Sequence, residues 1–128
     1  VEESESYDEN ELTSEKAKQI CLEYMGESFT FLNPQKLIEP LWKFSSSLLE
    51  NKENYSQLIN ILMHLAGMFE RALRQDTLIA PQEELKLTEQ TERFQQLEQA
   101  LNILSGTFQI EMPKDEIYYL EQLLAYQE

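Results

Sequence analysis

The sequence predicts an all-α domain, and three observations carry that expectation. Apolar residues recur at intervals of three and four along most of the chain, and few segments alternate apolar with polar as a half-buried strand does. Three glycines and four prolines in 128 residues leave few breaks between long periodic segments. At 41% hydrophobic residues the chain can bury a real core, which a disordered acidic chain cannot. Its length fits one domain with an appendage.

Residues 1–10 carry Glu2, Glu3, Glu5, Asp8 and Glu9 and no base, which predicts an acidic solvated tail or linker. Residues 11–32 form an N-terminal helical extension. Thr13 is its N-cap, Ala17, Ile20, Cys21 and Tyr24 share one face, and Gly26 marks its end. Phe29, Phe31 and Leu32 are apolar for a loop and dock this extension onto the rest of the domain.

Asn33-Pro34 reads as an N-cap with proline at the first helical position. The stripe Leu37, Leu41, Phe44 and Leu48 runs from there to about Asn51, with a late start or a bend at Pro40. Asn54-x-x-Gln57 resembles a capping box opening a long helix that ends near Asp76. Past Pro81, the spacing of Phe94, Leu97, Leu101, Leu104 and Phe108 is that of a bundle helix. Gly106 lies near its end, and Pro113 opens a last helix with Ile117, Leu120 and Leu124 on one face. Short connections make antiparallel neighbours.

Charge and composition exclude several functions. Ten basic against 24 acidic residues give a net charge of −14, the wrong sign for direct binding to nucleic acid or anionic lipid. One cysteine, Cys21, and one histidine, His64, exclude an internal disulfide framework and a multi-thiolate or paired-imidazole metal site. The three isolated glycines build no phosphate cradle or dinucleotide fingerprint, and no nucleophile elbow exists. Nothing points to an enzyme, a cofactor or a metal. No apolar run reaches the ~18 residues of a membrane helix, and no signal peptide is visible. A chain opening with Val1 reads as an excerpt of a longer protein or a processed form, placed in the cytoplasm by its cysteine usage.

His64 is the informative residue. At about 100° per residue with Leu62 at zero, Tyr55, Leu58, Ile59, Leu65, Ala66, Phe69, Ala72 and Leu73 fall between about −80° and about +60°. His64 falls at about 200°, Arg71 at about 180°, Asn60 at about 160° and Gly67 at about 140°. The imidazole is therefore expected opposite the apolar stripe and accessible beside a glycine. Two readings remain open on position alone: a surface histidine without a role, or a phosphoryl acceptor whose added charge Arg71 stabilises. Cys21 reads as a small core residue.

Two segments resemble a known family. His64-Leu65-Ala66-Gly67-Met68-Phe69-Glu70-Arg71 is similar to the H-L-x-x-x-x-E-R helix of the bacterial PTS regulation domain (PRD). Phe108-Gln109-Ile110-Glu111-Met112-Pro113-Lys114-Asp115-Glu116-Ile117 resembles that family's F-x-I-x-L-P-x-D-E-I approach to its last helix. The order and spacing also fit, and the resemblance covers residues 33–128.

The resemblance implies a compact bundle of about five helices, here with the extra N-terminal helix. It implies a homodimer without catalysis of its own, found in regulators of sugar operons. In such domains histidines are phosphorylated by the sugar phosphotransferase system, through HPr or enzyme IIB, and the modification switches a separate output domain. His64 matches the first family histidine, Arg71 and Glu116 match polar positions, and Asn60 lies on the same face. The second histidine position holds Leu123, and Ala80 stands where many members have asparagine, so at most one imidazole is available. The added N-terminal helix and the Phe-Leu-Asn-Pro segment look more like the levanase-regulator type of sigma-54-dependent activator (LevR-type) than the antiterminators (BglG/LicT-type). The alternative is a degenerate, unphosphorylated helical dimerisation or protein-interaction module.

Overall fold

The protein was analysed as a computed structural model that describes residues 12–126. Six helices follow one another: α1 (Ser14–Ser28), α2 (Pro34–Ser47), α3 (Tyr55–Arg74), α4 (Gln82–Thr88), α5 (Glu92–Thr107) and α6 (Lys114–Tyr126). Among the described residues there is no strand. This is the expected all-α architecture of five helices and one more at the N-terminus. The acidic segment 1–10 lies outside the described residues.

Side-chain caps set most helix starts. Thr13 Oγ1 accepts from Lys16 N at 3.2 Å, Asn33 Oδ1 accepts from Gln35 N at 3.1 Å ahead of Pro34, and Thr91 Oγ1 accepts from Phe94 N at 3.2 Å. Each satisfies one of the amides a helix leaves without an intrahelical partner. At α3, Asn54 Oδ1 accepts from Gln57 N at 3.2 Å. The expected return bond of a capping box is replaced by Asn54 Nδ2 donating to the Gln57 side-chain oxygen at 3.2 Å.

Two helices end in the same way. Gln75 and Gln109 both have φ of 59°. The amides of Gln75 and Asp76 reach back to the carbonyls of Ala72 and Arg71, and those of Gln109 and Ile110 to Gly106 and Ser105. Both ends are Schellman motifs with glutamine at the left-handed position where glycine is usual.

The core is built around α3. It packs against α1 and α2 on one side and α6 on the other, while α5 and α4 lie against α6. Leu58, Ile61, Leu62, Leu65, Ala66, Met68, Phe69 and Glu70 of α3 are all buried. In the same angular frame this arc runs from about −120° to about +80°, wider than the stripe read from the sequence. A central helix with neighbours on both flanks buries more than half its circumference. From α1 the core receives Ala17, Cys21 and Met25, and from α6 Ile117 and Leu120. Phe69 meets Phe108 edge-on, with ring centroids 6.2 Å apart. Cys21 is buried, and burial pushes its thiol up to about 11, so it serves as a small apolar residue.

Several boundaries differ from expectation. Helix α1 runs two residues past Gly26, and Met25 rather than Tyr24 faces inward. Helix α2 starts at Pro34 and passes through Pro40 without a break, ending at Ser47. The carbonyl that Pro40 deprives of a partner belongs to exposed Lys36, where water can replace the missing amide. Helix α4 was not legible, because two turns are too short to show a period. Of the three loop apolars, Leu32 is buried, Phe29 is half-buried and Phe31 is exposed.

Candidate functional site

The site is where α3, the α3–α4 connection and the first turn of α6 meet. Arg71 lies in the last turn of α3, and Glu116 in the first turn of α6, set there by Pro113. Arg71 Nε and Nη2 donate to Glu116 Oε2 and Oε1 at 2.8 Å each. This is a two-point guanidinium–carboxylate pair, the strong form of the interaction. Glu116 is fully buried, whereas the Arg71 side chain keeps 23% of its exposure. The pairing, together with the nearby Asp76 carboxylate, holds the Arg71 proton above its ordinary range.

The acids at the start of α6 also bind the backbone that crosses above them. Leu78 N donates to Glu116 Oε2 at 2.8 Å, and Ala80 N donates to Asp115 Oδ2 at 2.8 Å. Tyr119 Oη donates to the Ile79 carbonyl at 3.0 Å. Residues 75–81 are thus strapped to α6 by three consecutive contacts, though Leu78 and Ile79 turn their side chains outward at 40% and 78% exposure.

His64 stands two turns before Arg71 on α3. The sequence predicts an accessible imidazole, and the structure corrects this: the residue is half-buried, and its Nε2 is enclosed without a hydrogen-bond partner. The wider buried arc of α3 explains the difference, since His64 lies only about 40° beyond Met68. Burial, and then the positive charge of Arg71, push the imidazole below its ordinary value, with Glu116 opposing them. The shift favours the neutral ring, in which one nitrogen keeps the lone pair that a nucleophile needs.

Gly67, one turn from both His64 and Arg71, has a role other than opening the imidazole to solvent. A Cβ there would stand 3.3 Å from Arg71 Nη1, so the guanidinium lies back over the bare backbone. Its Nε and Nη2 are given to Glu116, which leaves Nη1 over Gly67, one turn along α3 from His64. Of the residues singled out from the sequence, Arg71 and Glu116 are brought together and His64 is placed within their electrostatic reach. Asn60 is exposed one turn before His64 and takes no part in the network.

Two buried acids were missed, Glu70 and Glu121. Glu70 is 2% exposed and accepts from three successive amides of the α1–α2 connection, Thr30, Phe31 and Leu32, at 3.0–3.2 Å. The available signal was its angle of about +80°, beside the apolar arc. The adjacent Glu70 and Arg71 thus serve different neighbours of α3, the α1–α2 connection and α6.

A groove of about 760 Å³ elsewhere, between the end of α2, α5 and α6, is lined by Leu48, Leu49, Asn51, Arg93 and Leu124 among others. It contains none of the site residues described above. Among the described residues no group of three or more His, Cys, Asp or Glu is arranged to hold a metal, and no helix is long and apolar enough to cross a membrane.

These features define a compact all-helical domain with a buried guanidinium–carboxylate pair beside its one histidine. The PRD domain family matches residues 39–127, and the chain belongs to that family, whose members are regulatory domains of transcriptional regulators under control of the phosphotransferase system. The match begins inside α2 and takes in His64, Arg71 and Glu116. No curated protein and no solved structure matches the chain significantly.

Proposed function

We propose that this chain is a phosphorylation-responsive PRD in which His64 is the acceptor, served by HPr or enzyme IIB, and that modification switches dimer state and a separate output domain. The observation that carries this reading is a neutral, desolvated imidazole two turns from a guanidinium with an unused donor edge. In the transfer, a ring nitrogen lone pair attacks phosphorus as the donor's N–P or S–P bond breaks. The donor keeps that bond's electron pair, and the second ring nitrogen keeps its proton. A phosphoryl group brings roughly −1.5 to −2 charges on the scale of hydroxyl phosphates. On a −14 protomer facing its twin, that charge meets repulsion or must find arginine. A few kcal/mol at an interface shifts a two-state population substantially.

The acidic tail 1–10, the extension 11–32 and the PRD 33–128 belong in this reading to a levanase-type sigma-54-dependent activator acting in the cytoplasm, with nucleic acid contacted by other parts of the regulator. A second reading draws on the enclosed Nε2 and on Leu123, half-buried against the core in the place of a second histidine. In that reading the domain only dimerises.

Phosphotransfer separates the two. The protein is incubated with phosphoenolpyruvate, enzyme I and HPr, with and without enzyme IIB, and the intact mass is read. An acid-labile phosphoryl adduct that His64→Ala abolishes establishes the first reading. No adduct from any donor on folded protein establishes the second.

A further inference from the structure

Glu116 has more partners than a structural ion pair needs. Its Oε2 accepts from Arg71 Nε and from Leu78 N, both at 2.8 Å, while Oε1 accepts from Arg71 Nη2. The guanidinium that neutralises this buried carboxylate is the one whose Nη1 lies over Gly67, a residue one turn along α3 from His64. Arg71 therefore stands between two anionic positions, one permanently occupied by Glu116 and one that fills only if His64 carries a phosphoryl group.

We infer that residues 75–81 form the segment that reads the state of His64: a phosphoryl group there competes with Glu116 for Arg71 and loosens the strap of the α3–α4 connection on α6. This rests on the assignment of His64 as the acceptor. The competition favours the phosphoryl group on charge, since it carries nearly twice the charge of a carboxylate and offers three acceptor oxygens. Glu116 then holds a buried charge with a weakened partner beside an added anion, and the carboxylate must move toward water. Leu78 N loses its acceptor when it does so, and the segment bearing the outward Leu78 and Ile79 side chains is released at its centre. Gly67 is what lets the guanidinium lie between the two positions.

The contacts grade the response. Leu78 depends on Glu116 directly, Ala80 on Asp115 one residue away, and Phe31 and Leu32 on Glu70, which has no part in the Arg71–Glu116 pair. Amide exchange reports each separately.

The test is amide hydrogen exchange by NMR on the protein before and after phosphorylation of His64. Modification uses the enzymatic donors and, independently, phosphoramidate, whose P–N bond breaks with loss of ammonia as the imidazole N–P bond forms. With a single histidine in the chain, any histidine adduct is on His64. Exchange at Leu78 is expected to rise about tenfold or more, the consequence of losing one hydrogen bond to a charged acceptor. Ala80 should rise less, and Phe31 and Leu32 should stay unchanged.

In Glu116→Gln the amide oxygen still accepts from Leu78 N but no longer holds the guanidinium by charge. Leu78 exchange should then be insensitive to phosphorylation. An adduct on His64 with unchanged Leu78 exchange overturns this inference and leaves the acceptor assignment standing. A uniform rise that includes Phe31 and Leu32 overturns it too, since that is general destabilisation. No adduct by either route on folded protein overturns both.

Discussion

Removing Arg71 should be far more damaging than removing its partner, and the asymmetry can be worked from exposure alone. In Arg71→Ala, Glu116, at 0% exposure in the native fold, is left with Leu78 N as its remaining donor at the site. Breaking a buried pair from one side costs ~3–5 kcal/mol. The lower end applies because water already reaches Arg71, so ~3 kcal/mol is expected. In Glu116→Gln the orphaned group is Arg71, which at 23% exposure can turn to solvent, and the expected loss is ~1–2 kcal/mol. In the double variant Arg71→Met/Glu116→Leu neither charge is left behind, so its loss should be smaller than that of Arg71→Ala. Urea denaturation measures all three. Melting should fall by roughly 10 °C for Arg71→Ala, at about 3–4 °C per kcal/mol for a domain of this size. If Arg71→Ala and Glu116→Gln each lose under ~1 kcal/mol, the pair behaves as a solvated surface contact and the burial argument fails.

Other expectations rest on single contacts. Glu70→Gln leaves one neutral oxygen facing three amides and should destabilise by ~2–4 kcal/mol in urea, with faster exchange at Leu32. Gln109→Gly relieves the side-chain strain of φ 59° and should stabilise by ~0.5–1 kcal/mol, less than the ~1–2 kcal/mol penalty of the left-handed region because glycine also frees the unfolded chain. Gly67→Ala should gain less than the ~1 kcal/mol of helix propensity, because its Cβ meets a guanidinium fixed by Glu116. In an Arg71→Ala background the same change should recover that gain. His64, held below its ordinary 6.5 by burial, makes the unfolded chain bind more protons than the folded one as pH falls below 6.5. The stability of the wild type relative to His64→Gln should therefore decline from that pH downward and stay flat above it, as read by denaturation midpoints between about pH 5 and 7.5.

How far the sequence could be read depends on which forces act locally. Thr13, Asn33 and the Pro113 helix start were legible because a cap depends on the two or three residues around it. The long period of α3 was legible for the same reason. The seven residues of α4 were not, since their helix is held from outside, by Leu85 in the core and by Tyr118 Oη donating to Glu84 at 2.7 Å. Angles on a single helix placed Arg71 on the His64 side but could not show that α6 stands there. The buried arc of α3 is therefore wider than its apolar stripe, and the imidazole is half-covered. Glu70 illustrates the same limit: a carboxylate beside an apolar face reads as solvated until the three amides it binds, some forty residues earlier in the chain, are folded against it.

The covered imidazole and the shared guanidinium bear on one another. A histidine fully open to solvent would present its lone pair freely but would have little grip on the structure around it. His64 is half-buried with Nε2 enclosed, and Arg71, the cation that acts on it electrostatically, is already committed to Glu116. Arg71 can satisfy a phosphoryl group on His64 only by loosening its hold on that carboxylate. Glu116 is in turn fixed to the one segment that passes over α6 with apolar side chains outward. The partial burial that makes the nucleophile harder to reach is thus also what would make its modification register in the fold. If His64 is the acceptor proposed above, a domain with leucine at the second position can still act as a switch on those terms.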